Sequence, residues 1–311
     1  MITEKYTPNS LSIGSIIGLI NSGDIAIPEI QRPFVWKKKQ VRDLMDSLYK
    51  GYPTGYLIIW KSSNVRLKDG SMSVGKKILI DGQQRVTALM TAIAGIPVVN
   101  AEYRKERIKI AFDPFAALSD DKDEELFAVQ DQSHLKSKRW IPDIAEVFKN
   151  DFSVYAFITE YCKENPEMSP DKLSNVLTDL RAIANRLIGV IELADDLDID
   201  IVTDIFIRIN SKGTALSQGD FVMSKMAADD SYGGSIMRKA VDYFAHMCVD
   251  PSYFSYISEN DKEFVESEYY SGIKWLADDK EDVYNPECDD ILRVAFMHMY
   301  PRARLSDLVS L

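Results

Sequence analysis

The segment Asp81-Gly82-Gln83-Gln84-Arg85 contains the residues best suited to chemistry in this 311-residue chain. It follows the apolar run Ile78-Leu79-Ile80 and precedes apolar residues at helical spacing from Val86 to Ile93, which predicts a strand that turns directly into a helix. The first N–H groups of such a helix lie at the positive end of its dipole and favour anions, above all phosphate. Gly82 permits close approach of a ligand to the backbone, and Arg85 suits bidentate contacts with phosphate oxygens.

Two interpretations of this turn are open at the level of the sequence. As a phosphate site, it would use the Asp81 carboxylate to bind Mg²⁺ or to orient a water, with Gln83 or Gln84 helping to position that water. As plain local structure, Asp-Gly before an amphipathic helix is an N-cap and a turn. The spacing Gly-x-x-Arg alone does not separate the two interpretations.

A second candidate segment, Ile27 to Trp36, combines an amide, a guanidinium and two aromatic rings on a stiff stretch with two prolines. Its Gln31 and Arg32 suit contacts with a nucleotide or a base. The densest basic cluster of the chain follows at once and consists of Lys37, Lys38, Lys39 and Arg42. Basic residues interleaved with aromatic rings fit a polyphosphate or a nucleic-acid backbone, so this cluster is predicted to bind DNA. The alternative is a solvated basic helix start with Trp36 packed into the core.

A third group, Arg208, Asn210 and Lys212, lies at the end of a helix predicted over residues 199–210 and in the turn after it. These residues would complete a phosphate site if their segment folds back onto the basic N-terminal part. A cationic helix end followed by Gly213 is equally typical of ordinary helix termination.

Several classes of protein are excluded by what the sequence lacks. It has no Gly-x-x-x-x-Gly-Lys-Ser/Thr loop, no strand-linked Gly-x-Gly-x-x-Gly and no nucleophile elbow. The three histidines lack the spacing of metal ligands, since they lie far apart in the chain at His134, His246 and His298. The three cysteines form no C-x-x-C pair, so reduced thiols are expected. No apolar run reaches the ~18–20 residues of a membrane span, which predicts a cytoplasmic protein without a membrane partner.

Charge is divided unevenly along the chain. The net charge of −11 argues at first against a nucleic-acid partner. Residues 1–110, however, contain 17 Lys and Arg against 9 Asp and Glu, a net charge of +8, while the remainder contains 20 against 39, a net charge of −19. The candidate phosphate-binding residues up to Arg85 all lie in the basic part, which indicates unlike roles for the two parts.

The elements that must position these residues change in character near residue 115. Residues 1–115 are predicted to form an α+β domain with a small mixed sheet, in which Arg107 to Phe112 is one strand and helices begin near Ile13 and Val41. Residues 116–311 are predicted to form a mainly helical domain. In this part Gly189 to Leu193 is predicted as a lone strand. Helical spacing is found over residues 171–188, 199–210, 217–228, 234–248 and 288–299.

Four segments of the chain, taken in order, are similar to one known family. They are Pro28 to Trp36, Tyr52-Pro53-Thr54-Gly55, Ile80 to Leu89 and Phe206 to Gly213. Over most of its length the chain resembles the N-terminal domain of GmrSD-type modification-dependent restriction enzymes, which is marked by a DGQQR motif. The resemblance implies a subdomain similar to the ParB/sulfiredoxin fold, followed by helices.

The resemblance also implies a chemistry. In that superfamily the Gly-x-x-Arg turn binds nucleotide phosphates, and the family implies binding and hydrolysis of a nucleoside triphosphate with Mg²⁺ to control DNA cleavage during defence against phage. The candidate catalytic residues are Asp81, Gln83, Gln84 and Arg85, with Asp81 either binding Mg²⁺ or orienting a water. The implied nucleotide-binding residues are Gln31, Arg32, Gly82, Arg85, Thr87, Arg208, Asn210 and Lys212.

One feature departs from the family pattern. Many such enzymes carry a C-terminal HNH-type nuclease domain, whose histidine-rich motif supplies the cutting centre, and the sequence to Leu311 contains no such motif. A shortened chain, a subunit that recruits a separate nuclease, and a family member with another role are the three explanations.

Three functions are therefore compatible with the sequence. The first is a nucleotide-binding and hydrolysing regulatory domain of a DNA restriction system. The second is a DNA-binding or DNA-cleaving module, which predicts steeply salt-dependent DNA affinity in the absence of nucleotide. The third is a non-catalytic interaction module whose acidic half docks a basic partner. A homo-oligomer is compatible with each of them.

Overall fold

A five-stranded mixed sheet carries the turn predicted to bind phosphate. The computed structural model describes residues 4–26, 34–61, 77–100, 105–121, 124–197, 201–202, 205, 208, 219, 222–223, 226, 233–278 and 284–300. The strands are β1 (Tyr6–Ser12), β2 (Ile25–Ala26), β3 (Tyr56–Lys61), β4 (Lys77–Asp81), β5 (Val98–Val99), β6 (Lys105–Glu106), β7 (Ile110–Phe112), β8 (Phe127–Val129) and β9 (Leu187–Leu193). The α-helices are α1 (Ile13–Asn21), α2 (Lys38–Tyr49), α3 (Gln83–Ala92), α4 (Gln132–Lys136), α5 (Ala145–Phe148), α6 (Val154–Glu164), α7 (Pro170–Arg181), α8 (Gly234–Val249), α9 (Tyr253–Asn260), α10 (Lys262–Val265), α11 (Glu268–Ile273) and α12 (Cys288–Met299).

The strand order of the sheet is β1-β9-β3-β4-β2. β9 pairs antiparallel with β1 and parallel with β3, and β4 pairs antiparallel with β3 and parallel with β2. This mixture of helices and a small mixed sheet confirms the predicted α+β class. The strand predicted to stand alone is β9, which instead lies between two partners. Because β9 comes from the half predicted to be helical, the sheet contains strands from both sides of residue 115.

Both helices predicted near the start of the chain are confirmed. Ser12 is the N-cap of α1, since its Oγ accepts the N–H of Ser15 at 3.1 Å. The predicted apolar face of α2 is buried, and the chain leaves this helix at Gly51, whose φ of 72° lies in the left-handed region that favours glycine. The buried residues of α2 are Val41, Leu44, Met45 and Leu48.

The strand predicted from Arg107 to Phe112 is shorter in the structure. Only β7 pairs there, antiparallel with β8, and all three of its residues are buried. Arg107 lies outside the strand, and its Nη2 forms an ion pair with Asp143 Oδ2 at 2.8 Å. The strand therefore begins three residues later than predicted, at Ile110, and Arg107 instead contacts a partner 36 residues away in the sequence.

The two faces of the sheet pack against different cores. Leu57 and Ile59 of β3 belong to the main core, which also contains buried residues of α1, α2, α3 and α7. The alternate residues Ile58 and Trp60 point to the opposite face and belong to a second core. Val202 is buried in that second core and Ile205 packs against it. Two residues of the acidic half therefore pack against the second face of the sheet.

The C-terminal helices form a third core of their own. It is built from α8 to α11 and the turn after them, with Met247, Ile257 and Phe264 among its buried residues. Beside this core lies a buried ion pair, in which Lys239 Nζ is 2.6 Å from Asp261 Oδ2 and the Lys239 side chain is 5% exposed. The Tyr243 hydroxyl donates to the same carboxylate oxygen at 2.8 Å, and the N–H of Phe264 donates to Asp261 Oδ1 at 3.1 Å. Asp261 therefore joins α8 to the start of α10.

Among the residues described above, no helix combines the length and the apolar character needed to cross a bilayer.

Candidate functional site

The DGQQR segment forms the predicted turn from strand to helix. β4 ends at Asp81, α3 begins at Gln83, and the residue between them, Gly82, is the N-cap of the helix with φ 96°. The N–H of Val86 donates to the carbonyl oxygen of Gly82 at 3.0 Å, which closes the first helical turn. Asp81, one of whose predicted roles was that of cap, is instead the last residue of the strand. Because glycine has no side chain, the N-cap residue offers the first-turn N–H groups no side-chain acceptor.

Gly82 is required at this position for two reasons. Its positive φ is a conformation that residues with a Cβ rarely adopt. A Cβ added there would also lie 2.4 Å from Leu57 Cδ2 and 3.2 Å from Arg85 Nη1. The turn is therefore packed tightly between β3 and the arginine side chain.

Arg85 is held by the backbone of the neighbouring strand. Its Nη1 donates to the carbonyl oxygen of Tyr56 at 2.7 Å. Its guanidinium also lies against Gly55, where a Cβ would be 2.9 Å from Nη2 and where φ is 89°. Burial lowers the pKa of Arg85 below its ordinary value, while the charge of the Asp81 carboxylate acts in the opposite direction. Because arginine is not deprotonated in proteins, the site keeps a fixed, half-buried positive charge.

Gln84 makes a structural contact that the sequence did not indicate. Its Oε1 accepts the N–H of Val35 at 2.8 Å and the N–H of Trp36 at 3.3 Å. The contact attaches the end of the second candidate segment to the first turn of α3. Gln31 and Arg32, which precede it, lie outside the described residues. Trp36 packs against the main core, as the alternative interpretation of that segment had it.

The other predicted residues of this helix differ in exposure. Gln83 is buried, whereas Asp81, Arg85 and Thr87 are half-buried. Asp81, Arg85 and the start of α3 therefore lie together at the end of β4. Their joint role in catalysis or nucleotide binding stays a prediction.

The basic cluster predicted to bind DNA lies at the start of α2. Lys38 Nζ forms an ion pair with Glu106 Oε2 at 2.9 Å. Arg42 pairs with Asp43 at 2.7 Å and with Glu125 at 3.0 Å. Lys37 and Lys39 are exposed. Carboxylates from outside the cluster thus neutralise part of its charge, and DNA binding by these residues stays a prediction.

Of the third predicted group, only Arg208 is among the described residues. It is exposed and helical. Ile205, three residues earlier, packs on the second core of the sheet. Asn210 and Lys212 lie outside the described residues.

Within the described parts of the chain, no group of three or more His, Cys, Asp or Glu side chains is arranged to hold a metal ion. Binding of Mg²⁺ by Asp81 stays a prediction.

Two residues of the site, Gly55 and Tyr56, were not predicted as site residues. They belong to or follow the segment Tyr52-Pro53-Thr54-Gly55, which is one of the four segments similar to the family but was assigned no site residue. Their contact with Arg85 depends on β3 lying beside the start of α3. A proline followed two residues later by glycine was the one local signal of this close approach.

Replacing Gly82 with alanine is expected to destabilise the protein by roughly 2–3 kcal/mol. A left-handed residue with a Cβ costs about 1–2 kcal/mol, and the clash with Leu57 adds to that cost. Urea denaturation measures the effect. The matched control is Gly18→Ala on α1, where a Cβ meets nothing within 4 Å and should be neutral or stabilising. Equal stability of Gly82→Ala and the native chain would contradict the geometry of the turn.

The family profile described as GmrSD restriction endonuclease, N-terminal domain, matches residues 13–227. The matched range contains the DGQQR turn, the sheet strands β2, β3, β4 and β9, and the helical residues on the second face of the sheet. It begins directly after β1 and ends before α8. A comparison with curated proteins finds no match. The chain belongs to the family of N-terminal domains of GmrSD restriction endonucleases, and it is thereby a component of a restriction, phage-defence system.

Proposed function

We propose that this chain binds a nucleoside triphosphate at the DGQQR turn and hydrolyses it, and that the nucleotide state controls DNA cleavage by a nuclease partner or domain. The observation that carries the proposal is the position of Arg85. Its guanidinium is half-buried, is held by the Tyr56 carbonyl group, and lies at the N-terminus of α3 beside Gly82.

The physical chemistry of this position favours phosphate. The N-terminus of α3 carries the positive end of a helix dipole, and its first turn contains no acidic residue. Gly82 lets a ligand approach the backbone, and Arg85 has planar donors that match phosphate oxygens. Because the guanidinium is already oriented by Tyr56, little conformational entropy is lost when it binds an anion.

Asp81 is the residue that we expect to act in hydrolysis. Mg²⁺ is usually bound through one or two carboxylates together with substrate phosphates, and Asp81 is a carboxylate close enough to Arg85 to influence its pKa. Oε1 of Gln84 already accepts two backbone N–H groups, so Gln84 fits a positioning role better than that of a base. Asp81 would then hold the Mg²⁺ that arrives with the nucleotide, or orient the attacking water.

A phosphate-release screen tests this proposal. The four nucleoside triphosphates are offered with Mg²⁺, with and without DNA, to the native chain and to Asp81→Asn. We expect release with the native chain and a loss of about 10²-fold or more with Asp81→Asn, as for removal of a general acid or base. Binding of the nucleotide without Mg²⁺ should persist in Asp81→Asn, because removal of a negative charge near the phosphates does not weaken their attraction to Arg85.

The matched control is Asp151→Asn, which changes an exposed carboxylate elsewhere on the chain. It should release phosphate at the native rate. If the native chain neither binds nor hydrolyses any of the four nucleotides, with or without DNA, the proposal is wrong.

A further inference from the structure

We infer that the exposed ring of Tyr56 is the surface on which the base of the bound nucleotide stacks. This inference rests on the proposed function and deepens it, because it adds a base-binding surface to a site so far defined by phosphate contacts. It is independent of the hydrolysis step and of any DNA contact.

The position of Tyr56 in the sheet leaves its ring exposed to solvent. Tyr56 is the first residue of β3, is 62% exposed, and is paired in register with Gly189 of β9. The ring lies over that glycine, since a Cβ on Gly189 would be 2.4 Å from Tyr56 Cδ1 and 2.5 Å from Cε1. The missing side chain thus provides the space in which the ring rests against the sheet, with its other face open.

The same residue ties the ring to the phosphate end of the site. The backbone carbonyl of Tyr56 accepts the hydrogen bond from Arg85 Nη1 at 2.7 Å. The Arg85 guanidinium therefore contacts the backbone of the same residue that carries the ring, and that residue is fixed in a paired strand. A ligand with an anionic group at Arg85 would thus be bound next to the strand residue that carries this exposed ring.

The surroundings of the ring are small or apolar. On the face of the sheet that carries Tyr56, Gly189 is followed across the sheet by Ser10 of β1, and Leu187 is 68% exposed two residues along β9. The next pair towards the interior is Ile58 and Ile191. These two residues line an apolar cavity of about 250 Å³.

An anion site beside an open aromatic ring matches the two ends of a nucleotide. Stacking of a base on an aromatic side chain is tolerant of base identity, because every base has a π-face. The ring therefore predicts affinity for the base as such, and only modest preference among the four nucleotides.

The test compares ATP with inorganic triphosphate, each with Mg²⁺, by calorimetry on the native chain, Tyr56→Phe, Tyr56→Leu and Tyr56→Ala. We expect the native chain and Tyr56→Phe to bind ATP more tightly than triphosphate. Tyr56→Leu and Tyr56→Ala should lose roughly ten- to a hundredfold in ATP affinity, while their triphosphate affinity stays at the native level. Leucine keeps the apolar bulk of the position, so it separates loss of the ring from loss of packing.

Tyr155→Ala is the matched control, because this tyrosine is 83% exposed on α6 and should affect neither ligand. Native ATP affinity in both Tyr56→Leu and Tyr56→Ala would overturn the inference and leave the proposed function standing. Failure of the native chain to bind ATP and triphosphate alike would overturn the proposed function, and the inference with it. Equal losses for both ligands in Tyr56→Leu would also overturn it, since the residue would then act only through the Arg85 contact.

Discussion

Replacing Arg85 with alanine will weaken nucleotide binding by about a hundredfold or more. Hydrogen bonds to charged groups contribute about 1.5–3 kcal/mol each, and a bidentate guanidinium–phosphate contact has two of them. The side chain is already held by the Tyr56 carbonyl oxygen at 2.7 Å, so the native chain does not have to order it on binding. Calorimetric titration with each nucleotide measures the loss.

Arg85→Lys should fall between alanine and the native residue. Lysine retains the positive charge but lacks the planar arrangement of donors that can contact the Tyr56 carbonyl group and a phosphate at the same time. The loss for Arg85→Lys should therefore be smaller and more sensitive to salt, because a single point charge contributes most of what remains.

The structure offers a close control for this prediction. Arg186 Nη2 also donates to a backbone carbonyl, that of Tyr49, at 3.3 Å, and its guanidinium also lies near a glycine with positive φ, Gly51. Arg186 is not at the start of α3, so Arg186→Ala should reduce stability without reducing nucleotide affinity. If Arg85→Ala folds normally and binds nucleotide as the native chain does, the phosphates are not at this turn.

Replacing Asp261 with alanine will destabilise the C-terminal helices by about 3 kcal/mol. Removal of one partner from a buried ion pair typically costs 3–5 kcal/mol, because the other charge is left buried and unpaired. Lys239 is the charge left behind, and Glu263 at 3.6 Å would compensate in part, which places the cost at the lower end of that range. Denaturant unfolding followed by the tyrosine signals of this region measures the effect.

The same residue gives the C-terminal helices a dependence on pH. Burial alone would raise the pKa of Asp261, but hydrogen bonds from Lys239 and Tyr243 outweigh burial and hold the pKa below its ordinary value. Its stabilising contribution is therefore present above the unfolded pKa of about 3.9 and is lost as the pH falls through the lower, folded value. Asp261→Asn should remove this pH dependence.

Measuring nucleotide affinity distinguishes the loss of stability in Asp261→Ala from damage to the site at Arg85. Asp261 lies beside the third core, beyond the residues matched by the family, and Arg85 lies against the sheet. Asp261→Ala should therefore unfold more easily yet bind nucleotide with native affinity while folded. A loss of affinity in folded Asp261→Ala would show that the two regions are coupled.

Much of the candidate site could be predicted because its signals are local. The run Ile78-Leu79-Ile80, the Asp-Gly pair and the helical spacing after it predict β4, the turn and α3 within 16 residues of sequence. Positive φ at Gly82 follows from the same local geometry. The charge division along the chain also placed the arginine of the turn in the basic part.

Other features could not be predicted because they depend on distant partners. The oxygen of Gln84 accepts N–H groups 49 and 48 residues away, and the carbonyl oxygen that holds Arg85 is 29 residues away. Lys38 and Arg42 appeared as a free basic cluster in the sequence, yet Glu106 and Glu125 come from segments that only the fold brings near. A run of basic residues in the sequence shows the local charge, but it does not show which carboxylates the fold brings into contact with it.

The sequence by itself determined the strand, the glycine turn and the helix that place Arg85 at a helix N-terminus. Hydrophobic spacing and backbone sterics act over a few residues and are written directly in the chain. The tertiary structure alone decided that β9, from the acidic half, lies between β1 and β3. That pairing puts Gly189 under the Tyr56 ring. The pairing of β3 with β4 puts the Tyr56 carbonyl group beside Arg85 of α3. Strand partners are chosen by burial and hydrogen bonding across long separations, for which a local pattern carries no record.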